Sequence, residues 1–126
     1  MPLTDAGRNF IAGAIIGSGT VFSNANARLG VGDSSTAFAV GQTDLQAATN
    51  KLRKAMEATY PQVAANVITL RSLFGTSEAN FAWAEFGIFN DASAGVMLSR
   101  KVEALGTKTS AASWQLTVEA TIAHGA

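Results

Sequence analysis

Cysteine is absent from the 126 residues, which excludes disulfides and thiolate metal sites and leaves the redox compartment open. Histidine is nearly absent, His124 being the only one. A nucleophilic serine needs a base and a group that orients that base, and a metal site needs clustered ligands. One imidazole and scattered carboxylates offer neither, so no enzyme activity, cofactor or metal is expected. Charge is scarce too. Charged residues make up 14%, below the ~25% usual in soluble domains, and nine basic residues cancel nine acidic ones. The densest basic run, KLRK with Lys51, Arg53 and Lys54, reads as a solvated face. Nucleic-acid binding normally requires a basic surface to neutralise phosphates, so no such partner is expected. Long apolar runs are missing as well. FIAGAIIG, residues 10–17, falls far short of the ~20 residues that span a bilayer. It also lacks the basic leader and cleavage pattern of a signal peptide, and no membrane partner is expected.

What is present is apolar. Hydrophobic residues reach 48%, and beside so little charge they suggest that a partner covers part of the surface. The length suits a single domain over residues 1–126. Residues 1–19 are predicted to form an N-terminal helix or arm, and residues 20–123 a β-sandwich. In TDAGRNFIAGAII (4–16), Thr4 is a candidate N-cap and Asp5 suits the positive end of the helix dipole. Leu3, Ala6, Phe10 and Ala14 recur at helical spacing. Gly7 and Gly13 cost about 1 kcal/mol each against alanine, so the helix needs outside support.

Beyond the GSG at 17–19 the period becomes two. WQLTVEATI (114–122) turns Trp114, Leu116, Val118, Ala120 and Ile122 one way and polar residues the other, the pattern of a half-buried strand. NVITLRSLF (66–74) alternates likewise, and GVMLSRKVEAL (95–105) continues the pattern. FAWAEFGIF (81–89) is apolar on both sides and reads as a central or covered strand. The intervening GTSEAN, NDASAG and GTKTSAAS suit antiparallel hairpins. The fold class is therefore mainly β, an antiparallel β-sandwich or jelly-roll-like unit with a short N-terminal helix or arm. Residues 45–60 are ambiguous, since propensity favours a helix from about Gln46 to Ala58 while KAMEATYP also alternates.

RLGVGDSSTAF (28–38) invites two catalytic readings. As a phosphate loop it lacks the third glycine, which is Ser35 here, and the Walker lysine. As an esterase block resembling the GDSL enzymes it would need an aspartate three residues before His124, where Thr121 stands. The remaining reading is a strand ending in a turn, with Gly30 and Gly32 allowing close backbone approach or positive φ and with Asp33, Ser34 and Ser35 closing it. Asp33, Asp44, Glu78 and Asp91 fall in loops and are expected to cap turns, a loop-built calcium site being the alternative. A buried Glu85 is expected to pair with a cation or lie at an interface.

Several segments in order resemble small structural proteins of tailed bacteriophages: LTDAGRNFIAGAIIG, FSNANARLGVGDSSTAF, QTDLQ, NKLRKAMEATYP and FAWAEFGIFNDASAGVMLSRKV, then a last alternating strand. The run from Glu85 to Arg100 is the most family-like part, and the resemblance spans most of residues 3 to 122. It implies a β-sandwich carried in many copies on the virion, with the major capsid protein and further copies of itself, as a trimer, for partners. It also implies a strand over residues 52–60, paired with NVITLRSLF. It brings no catalytic residues. The expected role is capsid decoration, that is, cementing the outer shell; the alternatives are a tail or tail-fibre component, or a carbohydrate- or receptor-binding module using Trp83 or Trp114. Leu3, Phe10 and Ile11 on the opening segment, with Trp83 and Phe89 on the aromatic strand, are the candidate contact residues.

Overall fold

The structure is a computed structural model and describes residues 1–124. Helix α1 (Asp5–Ile15) precedes seven strands: β1 (Arg28–Gly32), β2 (Lys51–Ala55), β3 (Gln62–Ala64), β4 (Val67–Phe74), β5 (Ala82–Phe89), β6 (Met97–Thr107) and β7 (Trp114–Thr121). They form two antiparallel sheets, ordered β2-β1-β5-β6 and β3-β4-β7. Leu29, Val31, Phe86 and Ile88 of the first sheet share one core with Leu70, Phe74 and Val118 of the second. The mainly β fold with a short N-terminal helix is the one the alternation predicts, and the sheets pack as a sandwich.

Local chemistry accounts for most elements. The Thr4 hydroxyl accepts from Gly7 N, closing the N-terminus of α1 as a cap does. It also donates to Met97 O, and Thr4 N donates to Leu98 O, so the cap ties the helix to β6. The face turned inward differs from the predicted one. Leu3 and Ile11 pack on the core and Gly7 is buried, whereas Phe10 turns aside to meet Phe22 edge-on at 5.0 Å. Gly7 is the reason: a β-carbon there would run into the Leu98 carbonyl, so only glycine lets the helix backbone lie against β6.

Residues 45–60 hold no helix. Strand β2 forms at Lys51–Ala55, but its partner is β1, with Arg28 opposite Ala55 and Gly32 opposite Lys51. The expected pairing of residues 52–60 with NVITLRSLF is thus corrected. The segment touches β4 only through single contacts and no ladder: Glu57 N donates to Arg71 O, Ser72 Oγ donates to Lys54 O, and Arg71 stacks on the Tyr60 ring. The partner of β4 on that side is the short β3, which comes after the cis Tyr60–Pro61 bond. Alternation specifies which face of a strand is buried; it does not specify the neighbour.

Candidate functional site

The most elaborate polar cluster lies on the outer face of the first sheet. Strand β5 runs between β1 and β6 and places Glu85 opposite Gly32 and Val102. The Arg100 Nε donates to Glu85 Oε1 at 2.7 Å, and both side chains are fully buried. Gln46 N at 2.8 Å, Ala47 N at 2.8 Å and Ser34 N at 3.3 Å also donate to the carboxylate. The rest of the guanidinium donates to Thr36 O and Gln42 Oε1. All these partners belong to residues 33–50, a strap that crosses the sheet between β1 and β2. Beneath it Phe89 and Met97 form a second apolar cluster with Leu45 of the strap, and the Arg53 guanidinium lies 3.6 Å from the Phe89 ring centre. The buried Glu85 therefore pairs with a cation, as expected. RLGVGDSSTAF ends a strand, as expected, but its second half opens the strap instead of closing a tight turn.

That geometry makes the cluster a fastening. Two buried charges in low dielectric are tolerated when each is paired and hydrogen-bonded, and no buried side-chain nitrogen or oxygen lacks a partner among the described residues. Ser34 Oγ is bonded to Thr36, and Asp33 accepts from Asn50. Asp44, Glu78 and Asp91 accept from backbone N–H groups as turn caps do, whereas Asp33 accepts only from the Asn50 side chain. Burial pushes the Asp44 carboxyl up, but Leu45 N–H, Arg53 and Lys51 outweigh it and hold the group below the ordinary aspartate range. Lys54 and the Gly75 N–H hold Glu78 down, and the Ser93 and Ala94 N–H groups do so for Asp91. Among the described residues no three histidines or carboxylates converge where a metal ion could sit, and no helix is long and apolar enough to cross a membrane.

The open surface with binding character is apolar and lies on α1. A cavity of about 440 Å³ opens between the helix, β6 and the end of β7, lined chiefly by Leu3, Ile11, Ile15, Leu98, Ala120 and Ile122. Ile15 and Ile16 are 82% and 83% exposed, with Val21 and Ile122 also exposed nearby in the chain or on the cavity wall. Leu3 and Ile11 of the expected contact residues line this site; Phe10 is half-buried against Phe22 and is outside it. Trp83 and Phe89 are corrected. Trp83 is 3% exposed, packed edge-on between Phe74 and Trp114, and its Nε1 donates to Ala79 O. Phe89 is fully buried under Arg53 and the strap. Both sit on a central strand covered on both faces, where an aromatic residue fills the core before it can meet a partner. Ile15 and Ile16 were the missed signal: two adjacent isoleucines at a helix C-terminus cannot both face inward. Comparison with protein-family models, with curated proteins and with solved structures finds no match to this chain.

Proposed function

We propose that the chain is a structural protein of a bacteriophage particle, acting as a capsid decoration protein that docks on the major capsid protein through the apolar face of α1. The virion reading rests on the ordered resemblance of segments between residues 3 and 122. The docking reading rests on one observation, the cavity beside α1, whose lining residue Ile15 stands exposed with Ile16 exposed next to it in the chain. Apolar area withdrawn from water contributes about 25 cal/mol per Å² before the costs of association. Modest contacts repeated around a closed shell would then hold neighbouring capsid subunits together. The low charge content fits such a role, since a covered surface needs little solvation.

Electron microscopy of virions carrying a label on this protein tests the reading. Label over the capsid shell is expected. Loss of binding to purified capsids on Ile15→Asp or Ile16→Asp, both at exposed positions, would assign the α1 face. Label confined to the tail would overturn decoration in favour of a tail component, and label nowhere on the particle would overturn the virion reading.

A further inference from the structure

The four sheet edges are not alike. Natural proteins blunt an exposed edge with charge, shortness, bulges or a covering segment, because unpaired backbone groups are a template for another chain. Edge strand β2 carries Lys51, Arg53 and Lys54, and edge strand β3 has three residues. Edge strand β6 is bulged where its pairing with β5 jumps between Trp83 and Glu85, and Leu3 bridges to its Ser99. Edge strand β7 carries a single charge, Glu119, and none of the other defences. It pairs with β4 through eight consecutive residues without a register shift, and it contains no proline, glycine or lysine.

Its free backbone groups can be identified. Ile122 N donates to Asn66 O in the register that joins β4 to β7. Antiparallel hydrogen-bonded pairs alternate along a strand, so the backbone groups of Trp114, Leu116, Val118 and Ala120 face β4. Those of Gln115, Thr117, Glu119 and Thr121 face outward, where no described segment pairs with them. Among the described residues two charges on this face lack an ion pair. Arg71 lies directly across from Thr117, donates to its hydroxyl from Nε and rests over the Tyr60 ring at 4.6 Å, without an anionic partner. Neither Arg71 nor Glu119 has an ion-pair partner among the described residues.

We propose that β7 pairs antiparallel with β7 of a second copy about a two-fold axis at Val118, joining two three-stranded sheets into one of six strands. Three conditions select this register. Outward-facing residues must oppose outward-facing residues, so Val118 meets its own equivalent or the axis shifts by a whole residue. An axis at Glu119 would set two glutamates face to face, which is destabilising. An axis at Thr117 leaves Ile122 unpaired, while one at Val118 overlaps the whole of 114–122. In the chosen register Glu119 of the partner subunit lies opposite Thr117, in the same cross-strand row as Arg71. Arg71 and that glutamate are then two strands apart, about 10 Å at their backbones, a gap their side chains span, and the two-fold repeats the pair. On the inner face the partner's Leu116 meets Ala120 and the partner's Trp114 meets Ile122. The contact involves copies of this chain alone and holds whether or not the chain binds a capsid. It makes a dimer, not the trimer the resemblance implies, the first unit of assembly.

Light scattering or sedimentation across a concentration series tests it. A mass of twice the 13.0 kDa chain is expected. Because the chain has no cysteine, Val118→Cys reports only contacts between copies, and oxidation is expected to crosslink it faster than Ala111→Cys in the exposed β6–β7 loop. Thr117→Pro removes an outward N–H without touching the β4 ladder and is expected to yield a monomer with its β-sheet circular dichroism retained. Should that variant unfold, the exposed charges carry the test: Glu119→Arg is expected to weaken dimerisation about tenfold, and Arg71→Glu with Glu119→Arg to restore it. A 13.0 kDa species at every concentration, a trimer, or a dimer indifferent to both the charge reversal and the Val118→Cys position would overturn the proposal.

Discussion

A β-carbon on Gly32 would come within 2.5 Å of Glu85 Oε2, and one on Gly30 within 2.8 Å of the Phe89 ring. The two glycines that suggest a phosphate loop are thus small for the sake of residues on the neighbouring strand. They leave room for the Glu85 carboxylate and the Phe89 ring under the strap, and neither has a positive φ. Arg100 completes the arrangement, and its pairing gives a prediction with a definite sign. Glu85→Ala leaves a guanidinium buried without its charge partner and is expected to cost about 3–5 kcal/mol, while Glu85→Ala combined with Arg100→Leu is expected to recover a large part of the loss. Urea denaturation of the two variants checks this; equal destabilisation by the single and double variants would count against the pair as the fastening of the strap. The identity of Glu85 as a buried, paired acid was legible from its place in an apolar strand. Its other partners, Ser34, Gln46 and Ala47, were not, because backbone donors on a strap leave no trace in residue type.

At the scale of elements, α1 shows a conflict between local and tertiary energies. Helix propensity alone makes Gly7→Ala stabilising by about 1 kcal/mol. Packing makes it destabilising, because the added methyl meets the Leu98 backbone, which cannot move aside as a flexible side chain can. Overpacking of this kind costs roughly 1–3 kcal/mol, so the expected outcome is a net loss of stability with α1 displaced from β6. Thermal denaturation followed by helix and sheet signals separately decides it; a raised melting temperature would show that the helix is not clamped to the strand. Helical spacing was enough to place α1 and its Thr4 cap. It selected Phe10 for the inner face, where the structure has Gly7, since a hydrophobic pattern gives no weight to a residue that is buried by having no side chain. Strand β2 is a parallel case: the strand expected over residues 52–60 forms only at Lys51–Ala55, the alternating Met56, Ala58 and Tyr60 lie beyond its end, and its choice of β1 over β4 depends on where the whole chain is led by the strap.

For the whole molecule, a network of charge-assisted contacts ties strap, loops and strands, and it sets the response to acid. Asp44, Glu78 and Asp91 titrate below their ordinary values in the folded state. A carboxylate with a lowered folded pKa contributes stability that is fully present above its unfolded pKa, about 4 for these groups, and is lost as pH falls through the folded value. Melting temperature is therefore expected to hold level through neutrality and to fall as pH drops below about 4. Asp44→Asn with Glu78→Gln should flatten that fall while lowering stability at neutral pH. A decline of the same size in the double variant would place the acid sensitivity elsewhere.

Composition and period, taken along the chain, determined the β-rich class, the N-terminal helix, the inward face of β4 and β7 and the caps on the loops, because each depends on residues within a turn or two of one another. Folding in three dimensions decided the rest. It brought Ser34, Gln46, Ala47 and Arg100 to one carboxylate, withdrew Trp83 and Phe89 into the core, joined β2 to β1, and left β7 and the apolar flank of α1 open. These outcomes turn on which distant surfaces meet, and the energy of such a meeting belongs to the pair and is written in neither stretch alone. For RLGVGDSSTAF the outcome is a strand end and the first length of a strap, held by an acid and a base from the adjoining hairpin.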